Sequence, residues 1–138
     1  MKILLISSTF PPRKFGGITA SSYILAKNLV ERRHEVTVYT TDINDRYSRI
    51  RDIKGVKNID GIQVHYFKNI SNWLASSRLY LPIGMISVIK RELDKFDIIH
   101  LNEFRSFQSI IVHRYAKKYS IPYVLQARGS LPRIMTKQ

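Results

Sequence analysis

The chain has 138 residues, enough for one domain with its own core, and its 44% hydrophobic content excludes a disordered chain. It contains no cysteine, which excludes disulfides, thiolate metal sites and thiol nucleophiles, and no segment approaches the roughly twenty apolar residues of a spanning helix. Its 23 Lys and Arg against 10 Asp and Glu give a formal net charge of +13, which favours anionic partners such as phosphates, anionic lipid or nucleic acid.

The N-terminal apolar run Ile3-Leu4-Leu5-Ile6 reads as a buried strand, too short and without the cleavage site of a signal peptide. Ser7 to Gly17 follows as a loop, stiffened by Pro11-Pro12 and closed by Gly16-Gly17. Ile18 to about Arg33 reads as a helix with Leu25, Ala26, Leu29 and Val30 on one stripe, and Glu35 to Thr41 as a second strand. A parallel pair needs such a crossover helix, whose start offers free N–H groups and the positive end of its dipole to a phosphate.

Asp42 to Lys57 is polar and mixed in charge and reads as a loop. Val56 to Asp60 and Gly61 to Phe67 form an edge hairpin turning at Asp60-Gly61. Beyond Asn69 to Leu81, the spacing of Pro82, Ile86, Ile89 and Leu93 predicts a helix ending near Lys95. Phe96 to Leu101 is the fourth strand, Arg105 to Tyr119 a helix with Phe107, Ile110, Ile111 and Tyr115 inward, and Pro122 to Ala127 a buried fifth strand. This alternation predicts a doubly wound, mainly parallel α/β sheet with helices on both faces. Residues 1–138 read as one domain that stops soon after a strand and a turn, as a truncated domain would.

In such a sheet three loops meet at the carboxyl edge: Pro11 to Gly17, Asn102-Glu103-Phe104-Arg105, and Arg128-Gly129-Ser130. Gly16 and Gly17 either start a helix or let a ligand approach the main chain. His100 reads as a core histidine; Glu103 and Arg105 are either a helix-initiating carboxylate and a solvated base or site residues. Arg128 is placed to bind a phosphate or carboxylate over the sheet edge. Trp73, Arg78 and Tyr80 are either packing residues or, with the basic surface, contacts to an anionic membrane. The histidines at 34, 65, 100 and 113 lack metal-ligand spacing, no metal or cofactor is expected, and no RNA-binding motif supports nucleic acid. A dinucleotide fingerprint is absent, although Asp42 stands where a ribose-binding acid would.

Five segments in order resemble the N-terminal domain of family 4 glycosyltransferases: Pro11-Pro12 with Gly16-Gly17, Leu25 to Leu29, Arg33 to Val38, Asp97 to Leu101, and Pro122 to Ser130. The resemblance implies a GT-B fold of two Rossmann-like domains facing a cleft, the first holding mainly the acceptor and the second mainly a nucleotide-sugar donor. It implies retaining, metal-independent sugar transfer, with Gly16 and Gly17 near the donor phosphates or the acceptor. Many members carry His-x-His after the fourth strand and His before Gly-Ser, where this chain has Asn102 and Arg128. Asparagine cannot act as an acid or base at neutral pH, so Asn102 and Glu103 are catalytic candidates without an assigned role. The family's Glu-x7-Glu motif, carried by the second domain, has no counterpart in this chain.

The sequence thus reads as the acceptor-side domain of a glycosyltransferase, inactive alone, that acts on a saccharide or lipid-linked acceptor in cell-surface glycan or glycolipid synthesis. Arg105, Arg128, Gly129 and Ser130 join Gly16 and Gly17 as binding candidates. A cytoplasmic setting is expected, with peripheral attachment to the inner face of the membrane. The alternatives are a non-catalytic basic module for anionic membranes or phosphate ligands and, more remotely, a dinucleotide-binding domain.

Overall fold

The apolar run Ile3-Leu4-Leu5-Ile6 lies at the centre of a sheet and is buried on both faces, as an apolar run without alternation requires. The computed structural model describes residues 1–128 apart from 14, 15, 46, 54, 78 and 105. In chain order the elements are β1 (Lys2–Ile6), α1 (Gly17–Glu31), β2 (Glu35–Thr41), β3 (Val56–Ile59), β4 (Ile62–Phe67), α2 (Asn72–Ser76) and α3 (Met85–Glu92), followed by a 3₁₀ turn (Leu93–Lys95), β5 (Ile98–Leu101), α4 (Phe107–Tyr119) and β6 (Tyr123–Leu125).

The strand order is β3-β4-β2-β1-β5-β6. All neighbours are parallel except β3 and β4, the expected edge hairpin. Asp60 (φ 50°) and Gly61 (φ 83°) both take positive φ at its turn, and a Cβ on Gly61 would lie 2.9 Å from Val30 Cγ1. The chain leaves β1 toward β2 and later returns to the other side of β1 as β5. The order therefore reverses between the carboxyl ends of β1 and β5.

Alternation along β1 divides the core. Ile3 and Leu5 pack with Ala26 of α1, Val36, Val38 and Val64, while Leu4 and Ile6 pack with Met85 and Ile89 of α3 and Val112 and Ala116 of α4. Helices cover both faces, as the doubly wound reading requires.

Three helix and strand boundaries depart from the sequence reading. Gly84 adopts a left-handed conformation, so α3 starts at Met85; Pro82 instead forms a bridge with Asn69. The core stripe is then Met85, Ile89 and Leu93, and Ile86 is only half-buried. In α4, Ile110 is 62% exposed and the inward positions are Gln108, Ser109, Val112 and Ala116. The Ser106 cap fixes the helix phase and puts small polar residues where the apolar spacing placed Ile110. The expected buried fifth strand is an exposed edge strand, β6, paired with β5 alone among the described strands.

Candidate functional site

The loop after β1 is held from several sides. Ser7 Oγ donates to Thr9 O (2.9 Å) and lies 3.2 Å from Ser22 Oγ of α1, while Thr9 Oγ1 and Thr19 Oγ1 bond at 2.8 Å. The Tyr66 hydroxyl donates to Pro11 O, and burial pushes that phenol up to about 12. Gly16 closes the loop at φ 118°, ψ 135°, a conformation that side chains oppose. Gly17 has no such constraint; a Cβ there would meet nothing within 4 Å. No side chain caps α1 and no acid lies in its first turn, so its N-terminal N–H groups and dipole face open space.

Across the switch point, Glu103 grips the same loop. Its carboxylate accepts from the Ser8 N–H (3.1 Å) and from the Ser8 hydroxyl. Gln108 Nε2 adds a 3.4 Å bond to Ser8 Oγ from the first turn of α4. Unlike α1, α4 caps itself: Ser106 Oγ accepts from Ser109 N, and Ser109 Oγ accepts from Ser106 N, both at 3.1 Å.

Asn102 is fully buried at the end of β5, and its Oδ1 accepts from Arg128 Nε at 3.1 Å. Its Nδ2 and the Oε1 of Gln108 have no hydrogen-bond partner. His100 Nε2 lies 3.1 Å from Gln126 Oε1. Burial pushes the ring below its ordinary pKa, opposed by hydrogen bonds to Gln126 and Asn102 and assisted by the Arg128 charge, which favours a neutral imidazole. Burial also lowers the Arg128 pKa.

The structure therefore brings together Asn102, Glu103 and Arg128 from three expected positions, and sets the open start of α1 beside the same loop. Arg128 is tied to Asn102 rather than standing alone over the edge. Arg78, Arg105, Gly129 and Ser130 lie outside the described residues. Trp73 is 66% exposed and Tyr80 is half-buried. The carboxylate of Asp42 is committed elsewhere: it accepts from Arg49 Nη1 (2.9 and 3.1 Å) and Asn69 N (2.8 Å), so it is not presented to a ribose. Sequence reasoning missed Ser8 and Gln108. The signals were present as a hydroxyl run directly after a strand and a glutamine at an inward helical position.

The family model for Glycosyltransferase Family 4 matches residues 15–137. An uncharacterized glycosyltransferase of Methanocaldococcus jannaschii is 29% identical over 111 residues, covering 75% of this chain and 25% of the relative. The chain thus spans about a quarter of that protein's length. No solved structure gives a significant match.

Proposed function

The chain belongs to glycosyltransferase family 4, and from that premise we propose that it forms the acceptor-side half of a retaining glycosyltransferase. The transferred sugar comes from a nucleotide-sugar donor held chiefly by a further domain, and the acceptor is a saccharide or a lipid-linked saccharide. The observation that carries this reading is the uncapped start of α1 beyond Gly16, set beside Asn102, Glu103 and Arg128 at the switch point.

Each group has a part in the proposed reaction. The α1 N–H groups and the Arg128 guanidinium offset anionic charge where donor meets acceptor. Asn102 hydrogen-bonds a sugar hydroxyl without exchanging a proton. Glu103 acts through Ser8, holding the loop before α1 in place, and is a positioning residue in the absence of substrate. No cofactor or metal is invoked.

The test is transfer by the full-length gene product against a broad panel of nucleotide sugars, followed by Arg128→Ala and Glu103→Gln. Turnover that falls at least tenfold in both variants, with donor affinity retained in Glu103→Gln, supports the roles given. Absence of transfer and donor hydrolysis across the panel rejects them.

Peripheral membrane attachment is a second reading, favoured by one feature. Ile70 (59%), Trp73 (66%) and Leu79 (43%) are exposed around α2 on a chain of net charge +13. Flotation with anionic but not neutral liposomes, lost on Trp73→Ala, is the expected result; equal flotation with neutral liposomes rejects the electrostatic part.

A further inference from the structure

The loop after β2 builds a second concave surface at the carboxyl edge, separate from the Asn102 and Arg128 cluster. Asp45 organises it. Its carboxylate accepts from the N–H groups of Tyr47 and Ser48 at 2.7 Å each, from Ser48 Oγ at 2.5 Å and from Asn44 Nδ2 at 3.3 Å. Arg49 is pinned to Asp42 and to Asn69 O (2.7 Å), and Asn72 Nδ2 reaches from α2 to the carbonyls of Asp45 (3.3 Å) and Ser48 (3.2 Å).

These bonds fix the walls of an open groove of about 630 Å³, lined by Tyr47, Ser48, Arg49, Arg51 and Asn72. That volume lies in the range of small-molecule sites. Exposed Arg51 stands at the rim.

Two groups around this groove are left unmatched. Asn72 Oδ1 is shielded from solvent and accepts no hydrogen bond. Arg13, on the neighbouring loop after β1, has Nε and Nη1 shielded from solvent and bonded to nothing among the described residues. Its charge is felt at Asp45, where it is the smallest of the influences that hold that carboxyl low; the Ser48 hydroxyl bond is the largest. Both Asp45 oxygens are already spent on Asn44, Tyr47 and Ser48, so Asp45 does not satisfy the guanidinium. A desolvated cation without an acceptor is costly to a fold, and a ligand that brings the anion removes that cost.

We infer that the groove between the 43–51 loop and α2 binds an anionic polyol, whose phosphate or carboxylate is taken by Arg13 and Arg51 and whose hydroxyl donates to Asn72 Oδ1. The inference rests on the acceptor-side reading only in making this ligand the acceptor; the binding itself needs no donor. The planar guanidinium supplies directed donors for an oxyanion, and the neutral amide oxygen selects a hydroxyl. The same chemistry is offered by a soluble sugar acid or sugar phosphate and by an anionic lipid headgroup.

The test is calorimetric titration of the 138-residue chain with glucose 6-phosphate, glucuronate and glucose, and with phosphatidylglycerol vesicles. At least one anionic ligand is expected to bind ten or more times tighter than glucose, with the difference shrinking as salt is raised. Arg13→Met and Arg51→Ala should each weaken that binding tenfold or more. Arg13→Met should leave the unliganded melting midpoint unchanged or raised, because a buried unpaired cation is removed. Arg13-dependent binding of the vesicles alone assigns the oxyanion to a headgroup; binding of the soluble sugars assigns it to a free acceptor.

Equal affinity for glucose and its anionic relatives, no binding of any probe, or insensitivity to Arg13→Met and Arg51→Ala overturns the inference. So does a lowered midpoint in Arg13→Met, which marks a structural role. Anion binding without sugar transfer by the full-length protein would sink the enzyme reading and leave this site standing; transfer without anion selectivity would do the reverse.

Discussion

Replacing Asp42 by alanine should cost about 2 to 4 kcal/mol of folding stability. Asp42 is 3% exposed, and its carboxylate joins three segments: the end of β2, Arg49 in the following loop and the backbone of Asn69. Removing it leaves the Asn69 N–H buried without an acceptor, which costs about 1 to 3 kcal/mol. Loss of the Arg49 pair adds about 1 kcal/mol, since Arg49 remains 31% exposed and can turn to water. Asp42→Asn can keep an acceptor for Asn69 while losing the charge, so about 1 to 2 kcal/mol is expected. Urea unfolding monitored by far-UV circular dichroism measures the change as a lower midpoint at unchanged slope. A double-mutant cycle with Arg49→Ala should return a coupling of about 1 to 2 kcal/mol. A loss below about 1 kcal/mol for Asp42→Ala, or additivity within about 0.3 kcal/mol, would refute the account of Asp42 as the anchor of the 43–51 loop.

Gly16→Ala forces a side chain into φ 118° and should cost about 1 to 3 kcal/mol, whereas Gly17→Ala meets open space and should change stability by less than about 1 kcal/mol; thermal melts of both variants check this. Both should lower transfer by the full-length protein if the α1 start holds substrate. His100 and His65 both have pKa values lowered chiefly by burial, countered by Gln126 and Asn102 at His100 and by Glu92 at His65. Their unfolded forms therefore take up protons first, so stability should be full above about pH 7 and fall as pH drops through about 6.5 toward the lower folded values. Urea midpoints at pH 8, 6.5 and 5.5 measure the slope, which should shrink in His100→Gln. Ile110→Ser, at an exposed position, should alter stability by no more than about 0.5 kcal/mol, whereas Val112→Ala in the core should cost about 1 to 3 kcal/mol by urea unfolding.

Much of the fold was legible because its signals are local. An unbroken apolar run with polar flanks announced β1, the stripe of Leu25, Ala26, Leu29 and Val30 announced α1, and Asp60-Gly61 announced the β3-β4 turn. The site was legible to the extent that strand ends in a doubly wound sheet share one edge, which put Asn102, Glu103 and Arg128 within reach of the loop after β1. Errors arose where two local signals competed. In α4 the apolar spacing of Phe107, Ile110 and Ile111 was overruled by the Ser106 capping box, which rotates Val112 and Ala116 inward. At α3, Pro82 looked like a helix start, but Gly84 and the Asn69 bridge delay the helix by a turn.

The sequence by itself determined the class of fold, the order of strands and helices, and a glycine-closed loop before a helix, because periodicity and turn chemistry act between residues a few positions apart. Tertiary structure alone decided which partners the polar groups took. Glu103 meets Ser8 across 95 residues, Asp42 meets Asn69 across 27, and Arg128 meets Asn102 across 26. A carboxylate reads the same in sequence whether it faces substrate or secures a loop. Only the packing of β1 against β5, and of the 43–51 loop against α2, assigns the loop-holding role to Glu103 and Asp42, and leaves Arg13 as the cation without a counter-charge.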